Sequence, residues 1–418
     1  MNIVSCGIDF GTSNSSIALA NDQGIELATV ENGHQTIPSA IFFPQDLHAP
    51  LFGRAATHEF FTKQKGRYMR SLKRILGTSL VGQGTLVNGK VMRFERIISL
   101  FLKNIKDKAD AQAGCEIEQV VMGRPVHFVD NNPQADKQAE EQLREIARSI
   151  GFKHIAFQFE PIAAAFAHEA NLKEEKLALV ADMGGGTSDF TVIKLSRQKL
   201  LNRDRSADIL ASSGVRVGGN DFDKQLSFWA IMPQLGYKST YGEKKLEVPI
   251  KLYQELSEWS KVNFLYTLKI ITQTRQLLYQ SHDKKRLSRL LKVLEQESGH
   301  LLLAGVEDTK IALTLAPEHY APFNFIEPDF GVTIHRQQFE EAIGEEVEKI
   351  TAAADECIRQ AGVSRQAIEL IILTGGSTEV PLIQESFRAL FANATLADEN
   401  KLSSVGLGLG YASYNTFR

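Results

Sequence analysis

Cysteine is scarce in this sequence, and the three that occur stand far apart, at positions 6, 115 and 357. The absence of a Cys-x-x-Cys pair excludes a disulfide framework and a thiolate zinc site of the usual spacing. No apolar run approaches the ~20 residues that a membrane-spanning helix needs. The first residues also carry no basic region followed by an apolar one, as a secretory signal would. We therefore expect a reduced, cytoplasmic protein.

Neither sign of charge dominates. The formal net charge is -3 and the sequence pI is about 6.4, so the surface is not suited mainly to neutralising nucleic-acid phosphates. Hydrophobic residues make up 43% and charged residues 23%, which is the balance of an ordinary globular protein. A chain of 418 residues can bury more than one core. The composition predicts a multidomain protein that binds neither nucleic acid nor a membrane.

An approximate internal duplication organises the chain. Residues 3–20 have the pattern of a strand, a turn of small residues and a second strand, and residues 177–195 repeat that order. Both copies share the core Asp-x-Gly-Thr-Ser, headed by Asp9 and Asp182, with two extra glycines in the second copy. A third strand and glycine turn follow at 370–377, where we expect the same hairpin-like step. No turn has the P-loop pattern. The duplication predicts two similar lobes, at 1–175 and 176–418.

Helical periodicity predicts the layers around these strands. Asn132 and Pro133 open a predicted helix over 133–150, which Gly151 closes. A second helix over 336–361 precedes the strand at 370–374, so the second lobe has alternating α/β character. Residues 224–314 are mostly helical and are predicted to form a subdomain inserted in that lobe. The predicted fold class is α/β, with two lobes around a cleft.

The two copied turns have the chemistry of a phosphate site. Glycine, threonine and serine offer backbone N–H groups and hydroxyls, and the missing β-carbons let a phosphate approach closely. Two such turns facing each other could hold a polyphosphate from both sides. Asp9 and Asp182 would then share Mg²⁺, a hard cation that accepts few direct protein ligands. Each aspartate could instead cap its turn, and Asp182 could also polarise an attacking water.

Seven motifs resemble, in chain order, those of the nucleotide-binding domain of DnaK-type heat-shock chaperones. They are GIDFGTSN at 7–14, LKRILG at 72–77, EPIAAA at 160–165, DMGGGTSD at 182–189, GGNDFD at 218–223, VEDTKIALT at 306–314 and GGST at 375–378. Residues 123–128 and 157–161 are most similar to the YegD-like branch of that family. The resemblance covers essentially the whole chain. It implies a duplicated actin-like ATPase fold with a nucleotide cleft between the lobes.

The resemblance also implies roles at matching positions. The phosphate-binding residues would be Gly11, Thr12, Ser13 and Asn14 in the first lobe, and Gly184, Gly185, Gly186 and Thr187 in the second. Lys73 would reach the γ-phosphate and steady the attacking water, and Glu160 would complete the water shell around Mg²⁺. The candidate catalytic residues are therefore Lys73, Glu160, Asp182 and Thr187, and the candidate metal ligands are Asp9 and Asp182. Without the resemblance, Lys73 is one cation of a basic helix and Glu160 is an acid favoured at a helix start.

Adenosine is the part of the ligand for which the sequence departs from the family pattern. The implied nucleotide contacts are Gly218, Gly219, Glu307, Lys310, Thr314, Gly375, Gly376 and Ser377. Glu307 and Lys310 could equally form a surface ion pair at i, i+3. Glu379 replaces an arginine that stacks on adenine in the family, which would weaken binding by roughly 0.5 to 2 kcal/mol. Asn220 replaces a family acid and puts a contact across the cleft in doubt.

The function implied is that of an ATP-binding, chaperone-like, stress-response protein. It would hydrolyse Mg·ATP to ADP and phosphate to drive a conformational switch, with K⁺ as a second candidate ion and client or co-chaperone proteins as partners. We expect no substrate-binding domain after the last predicted helix, so the inserted helices at 240–300 are one candidate surface for clients. Two alternatives stay open: a small-molecule kinase with Asp182 as its base, and an actin-like filament protein.

Overall fold

The computed structural model of the chain describes residues 5–45, 49–62, 65–78, 81–129, 132–169, 172–199, 205–259, 261–397 and 404–418. The strands are β1 (Ser5–Phe10), β2 (Asn14–Asn21), β3 (Gly24–Leu27), β4 (Ile37–Pro38), β5 (Ala40–Pro44), β6 (Leu51–Phe52), β7 (Gly66–Arg70), β8 (Gly84–Val87), β9 (Lys90–Arg93), β10 (Gln119–Arg124), β11 (His154–Phe159), β12 (Lys176–Met183), β13 (Ser188–Leu195), β14 (Ile209–Val215), β15 (Thr240–Tyr241), β16 (Leu246–Glu247), β17 (Glu318–Pro322), β18 (Gly331–His335), β19 (Leu370–Thr374) and β20 (Thr395–Ala397).

Helices alternate with these strands. They are α1 (Gly53–Phe61), α2 (Phe94–Ala113), α3 (Pro133–Ser149), α4 (Glu160–Glu169), α5 (Gly219–Leu226), α6 (Ile250–Leu256), α7 (Leu268–Gln280), α8 (Lys284–Glu295), α9 (Gly299–Leu315), α10 (Arg336–Gln360), α11 (Pro381–Leu390) and α12 (Ser404–Phe417). The α3 helix begins as predicted, because the Asn132 side chain accepts a hydrogen bond from the Ala135 N–H and Pro133 occupies the first turn. Within the described ranges, no helix has both the length and the apolar character to cross a bilayer.

Two sheets of the same topology confirm the duplication. One has the strand order β11-β10-β1-β2-β3 and the other the order β20-β19-β12-β13-β14. In each sheet the strand that carries the aspartate pairs in parallel with one neighbour and antiparallel with the other. The helices are placed in the same way in both sheets. Helices α3 and α11 each connect the two outer parallel strands of their sheet, and α4 and α12 each follow the outermost of these strands.

The third glycine turn is not a hairpin, which corrects the sequence-based prediction. After β19 the chain enters a short 3-10 helix, Gly376–Glu379, and then α11. The reason is topological: β19 occupies the place in its sheet that β10 occupies in the other, and a parallel neighbour must be followed by a crossover. Gly375 has a positive φ of 85°, and a β-carbon on it would overlap the Met183 carbonyl at the end of β12.

The chain forms two compact units. Unit 1 comprises 1–215, 352–378 and 387–418 and contains both five-strand paths, whereas unit 2 comprises 216–351 and 379–386. Unit 2 includes the predicted helical segment 224–314, which holds α6 to α9, and also the β17–β18 hairpin. The division into lobes at residue 175 stays a prediction.

Helix α12 packs against both α4 and the first sheet in unit 1. A β-carbon on Gly408 would overlap the Ala163 carbonyl oxygen, and one on Gly7 would overlap the backbone of Leu409. Small residues therefore let the helix backbone lie directly on α4 and on β1. The Ser5 hydroxyl donates to the Ser413 hydroxyl at 3.1 Å, which ties β1 to α12 a second time.

A fully buried ion pair fixes the far end of α4. The Arg205 guanidinium donates to both carboxylate oxygens of Glu169 at 2.8 and 2.9 Å, and neither side chain is exposed. Arg205 also donates to Asp208, which Lys199 contacts at 2.8 Å. Buried charges of this kind are tolerated only when they are paired and hydrogen-bonded, as they are here.

Unit 2 contains one histidine whose titration bears on stability. Burial lowers the pKa of His300 to about 4, and its ring lies 5.6 Å from the ring of Trp259. The unfolded chain takes up this proton near the ordinary pKa of 6.5, whereas the folded chain resists it, so stability falls as the pH drops from about 6.5 to about 4.

We expect this one group to account for about 3 kcal/mol of acid destabilisation, at 1.36 kcal/mol per pKa unit. His300→Phe, which keeps an aromatic ring beside Trp259, should lose that part of the pH dependence. The measurement is urea unfolding of wild type and variant at neutral and at mildly acidic pH. The exposed His154 replaced by phenylalanine is the control, and equal acid sensitivity of the His300 variant and wild type would contradict the prediction.

Candidate functional site

The first glycine turn connects β1 to β2 and contains the predicted phosphate-binding residues 11–14. A β-carbon on Gly11 would overlap the carbonyl oxygen of Asn14, so the turn closes only with glycine. Ser39 fixes the turn from outside: its hydroxyl donates to the Gly11 carbonyl at 2.7 Å, and its N–H donates to the Ser13 carbonyl at 2.8 Å. These bonds occupy carbonyl oxygens of the turn. They hold the loop in one shape and do not involve the N–H groups of the loop itself.

The second glycine turn connects β12 to β13 in the same way. The Gly184 N–H donates to the Thr187 carbonyl at 2.9 Å, and the Thr187 hydroxyl donates to Asp189 at 3.0 Å. The third turn lies against it, because the Ser377 hydroxyl donates to the Gly184 carbonyl at 2.8 Å. Two of the three sequence-predicted glycine turns are thus directly bonded to each other in unit 1.

Lys73 and Glu160 form a close ion pair. Lys73 lies on a 3-10 helix, Leu72–Ile75, and Glu160 is the first residue of α4. The Lys73 ammonium is 2.5 Å from a Glu160 oxygen, and their side chains are 11% and 10% exposed. Burial opposes the lysine charge, yet the carboxylates of Glu160 and Asp9 outweigh it and raise the pKa of Lys73. The lysine is therefore a fixed positive charge at neutral pH.

The two aspartates of the duplicated motif lie near this ion pair. Removal from bulk water, helped by the Glu160 carboxylate, raises the pKa of Asp9 to about 7. Desolvation likewise raises the pKa of Asp182 to about 8, with the Glu160 and Asp189 carboxylates adding to it and Lys73 opposing it. Asp9 and Asp182 also act on each other. The structure thus brings Asp9, Asp182, Lys73 and Glu160 into one cluster, although their roles stay predictions.

The charges of this cluster fit a divalent cation. Three carboxylates face one ammonium, so the ionised cluster has excess negative charge in a poorly hydrated place. In the part of the chain that the structure describes, no group of three His, Cys, Asp or Glu side chains is close enough to enclose a metal ion. An all-oxygen set that supplies few direct ligands suits Mg²⁺, which keeps several of its waters.

The predicted adenosine contacts on unit 2 form a cluster of their own. The Lys310 ammonium lies 2.9 Å from Asp223 and 3.2 Å from the Gly219 carbonyl, so an ion pair to Asp223 fixes it beside the GGNDFD motif. Gly218 is capped by the Asp221 side chain at 2.9 Å, and the Thr314 hydroxyl donates to the Ile311 carbonyl of its own helix. Glu307 lies on the same helix, α9, one turn before Lys310. That these residues bind adenosine together with the 375–377 turn stays a prediction.

Sequence reasoning gave no role to three residues that contact the turns. Ser39 carries no motif, so no signal could have found it. Asp189 ends the second copied motif and holds Thr187. Arg74 directly follows Lys73, and its nearest guanidinium nitrogen would be 3.2 Å from a β-carbon on Gly186. Its side chain is exposed and forms no ion pair with any described residue, so its positive charge is available beside the second turn.

The chain is similar to known proteins in two comparisons. A family model described as Hsp70 protein matches residues 5–258 and 267–409. The chain is 28% identical over 383 residues to the chaperone protein DnaK of Mycoplasma mobile. That alignment covers 91% of this chain and 53% of that protein, so the chain spans about half the length of the curated relative it matches. The similarity to the YegD-like branch stays a prediction.

Proposed function

This chain belongs to the Hsp70 family, and from that premise we propose that it binds Mg·ATP in unit 1 and hydrolyses it to ADP and phosphate. The observation that carries the proposal is the cluster of Asp9, Lys73, Glu160 and Asp182, which lies at the ends of the two strands that lead into the glycine turns. Its three carboxylates face a single ammonium, and a structural ion pair alone would not need that excess of negative charge.

The glycine turns hold the phosphates in this proposal. The backbone N–H groups of 11–14 and 185–187 are the donors, and the hydroxyls of Thr12 and Ser13 add to them. Gly184 and Thr187 hold the second turn in shape, because the Gly184 N–H donates to the Thr187 carbonyl and the Thr187 hydroxyl donates to Asp189. Ser39 and Ser377 keep the two turns in shape through their carbonyl oxygens. Glycine is needed in these turns so that the backbone can close. Because glycine has no β-carbon, a phosphate can also approach the backbone closely there.

The charged cluster stabilises the transition state. Lys73 has its charge fixed by Glu160 and offsets negative charge on the transferred phosphoryl group. Asp9 and Asp182 would hold Mg²⁺, with Glu160 bonded to waters of the ion; when bound, the ion neutralises charge on phosphate oxygens. Asp182 is also the candidate that orients the attacking water. Hydrolysis would then depend mainly on positioning and electrostatics.

Adenosine and the partners complete the proposal. Glu307, Lys310 and Thr314 on α9, with Gly218, Gly219 and the 375–377 turn, would bind the nucleoside, and Glu379 would leave adenine less firmly held than an arginine would. Turnover would drive a conformational switch, with K⁺ as a further candidate ion. The proposed role is chaperone-like, toward client or co-chaperone proteins in the cytoplasm.

Titration of purified protein with nucleotide tests the proposal. We expect Mg·ATP binding by calorimetry and slow phosphate release, and we expect Asp9→Asn to weaken Mg·ATP binding at least about tenfold, the scale of one lost charge-assisted contact. Asp107→Asn, at an exposed helical ion pair, is the matched control. Failure of the wild-type protein to bind Mg·ATP would overturn the proposal, and turnover that requires a sugar or a carboxylic acid would favour the kinase.

Arg74 provides a separate prediction within the same reaction. Because its guanidinium lies beside Gly186, we expect Arg74→Ala to lower kcat/KM for ATP by about tenfold, less than a buried stabiliser would cost. Arg74→Lys should recover part of the loss, because it keeps the charge but not the fork of donors. Steady-state phosphate release measures both. Arg67→Ala, at another exposed arginine of unit 1, is the control, and equal effects at the two positions would contradict the prediction.

A further inference from the structure

Helix α7 leaves part of its apolar surface uncovered. It contains six large apolar or aromatic residues among thirteen, yet Thr274 is its one buried residue. Leu268 at its start is 85% exposed, and Tyr279 near its end is 82% exposed. A surface helix in a globular protein normally buries an apolar stripe against the core. Large apolar side chains grouped on one exposed helix indicate an interaction surface.

A groove runs along this helix inside unit 2. It has a volume of about 1100 Å³ and lies between α6, the segment before α7, and α7 itself. Its apolar and aromatic lining consists of Tyr241, Pro249, Leu252, Phe264, Ile270, Leu277 and Tyr279. Phe264 is 68% exposed although its neighbour Leu265 is fully buried, so this segment directs one side chain inward and one into the groove.

The charged lining of the groove is mainly positive. Lys251, Lys269 and Arg275 line it, against the single carboxylate of Glu255. Lys251 contacts Glu255 at 3.7 Å, and Arg275 is neutralised by Glu295 at 2.6 Å. Lys269 forms no ion pair with any residue that the structure describes. Lys269 is therefore the one uncompensated charge of the described lining, and an acidic side chain of a partner placed beside it is complementary in charge.

The shape of the groove and its charge select one occupant. The walls are mainly helical, and Tyr241 of β15, the one strand residue of the lining, is already paired with Leu246 on one side and Ser281 on the other. The main chain of an extended peptide therefore has no free strand edge to join there. Helix α7 has 13 residues, about 20 Å, which matches a partner helix of about three to four turns. A second copy docking with the same face would bring like charges together. A concave site also suits a helix better than the surface of a bilayer.

One residue of the groove lies outside the regions that the family model matches. The family match skips residues 259–266, which include Phe264. The groove residues also lie apart in sequence from every residue of the proposed ATP site. We propose that the α7 groove binds an acidic amphipathic helix of a partner protein, with apolar side chains at i, i+4 and i+7 inserted beside Phe264, Ile270 and Leu277 and acidic side chains beside Lys269.

The probe is a fluorescent helix-forming peptide of about four turns, with leucine and phenylalanine on one face and glutamate on the other. Against the full chain we expect saturable binding by fluorescence anisotropy, weakened by salt. Tyr279→Ser and Phe264→Ser, at two exposed residues of the groove lining, should each weaken it by about tenfold, as expected for losing one buried apolar anchor. Lys269→Glu should weaken the binding of this peptide. It should strengthen the binding of a matched peptide in which lysine replaces glutamate.

Controls separate docking from folding and from the nucleotide site. Leu315→Ser, at a residue of α9 that is 86% exposed and outside the groove, should leave peptide binding within about twofold of wild type. All these variants should retain the far-ultraviolet circular dichroism and the Mg·ATP affinity of the wild-type chain. The same titration is repeated with vesicles of anionic phospholipid, and the mass of the chain is measured by sedimentation.

Three results would overturn the inference. The first is binding of the acidic peptide no tighter than binding of a scrambled peptide of the same composition. The second is equal loss in Tyr279→Ser and Leu315→Ser. The third is tight binding to anionic vesicles, or self-association, that Tyr279→Ser abolishes while the peptide stays unbound, because the groove then serves a membrane or a second copy.

Discussion

Replacing Lys73 by alanine is expected to lower kcat for ATP hydrolysis by about 10² to 10³, the scale of losing one preorganised electrostatic stabiliser. The lysine ammonium is held 2.5 Å from Glu160, and its charge is the one positive charge that acts on both Asp9 and Asp182 in the described cluster. Removing it leaves three carboxylates facing each other without a counter-charge. Single-turnover phosphate release measures the chemical step directly.

The nucleotide affinity of the same variant separates binding from chemistry. We expect Mg·ATP to bind within about tenfold of wild type, because the glycine turns and the aspartates remain. Lys103→Ala, which removes an exposed lysine from a helical ion pair of the same unit, is the matched control and should change neither constant. If Lys73→Ala hydrolyses ATP at the wild-type rate, the lysine has no part in catalysis. If the wild-type protein binds Mg·ATP but releases no phosphate, it is a nucleotide sensor.

Replacing Arg205 by methionine is expected to destabilise unit 1 by about 3 to 5 kcal/mol, the cost of removing one partner from a buried ion pair. Glu169 would keep the Ser196 N–H as a donor at 2.7 Å but would lose both guanidinium contacts in a place without solvent. Unfolding in urea, followed by circular dichroism, measures the change. The free energy of unfolding should fall without a change in its dependence on urea.

A second substitution tests the cause of that loss. Because the cost comes from an uncompensated buried charge, Glu169→Gln in the Arg205→Met background should recover much of the lost stability. Arg365→Met, at an exposed arginine paired with Asp355, should cost less than about 1 kcal/mol. A double variant as unstable as the single one would show that packing of the long side chain, and not its charge, stabilises this region.

Local patterns predicted those parts of the fold that depend on neighbours in sequence. The two hairpins at β1–β2 and β12–β13 follow from apolar runs separated by small residues, and α3 begins and ends where its caps predict. The third glycine turn has the same residue types but a different outcome, because its strand pairs in parallel with β12 and the chain must cross over. That pairing is set by residues far away in sequence.

In the candidate site, too, local patterns predicted only what depends on neighbours in sequence. Glycines and aspartates repeat in order and could be found by inspection, whereas Lys73 and Glu160 are 87 positions apart and were linked only through the family resemblance. Lys310 could be interpreted from spacing as a partner of Glu307, but its ammonium contacts Asp223. Ser39 and Arg205 carry no local signal at all. Their importance follows from the residues that they contact. Contacts between residues far apart in sequence cannot be predicted from local periodicity.

The packing of α12 has a consequence for synthesis of the chain. The small-residue surfaces of β1 and α4 that it covers are made from residues 5–10 and 160–169, well before residues 404–417. During translation these surfaces therefore have no cover while most of the chain is already outside the ribosome. The packing of unit 1 can be completed only after α12 has left the ribosome. Until then the nascent polypeptide can aggregate or be cleaved by proteases.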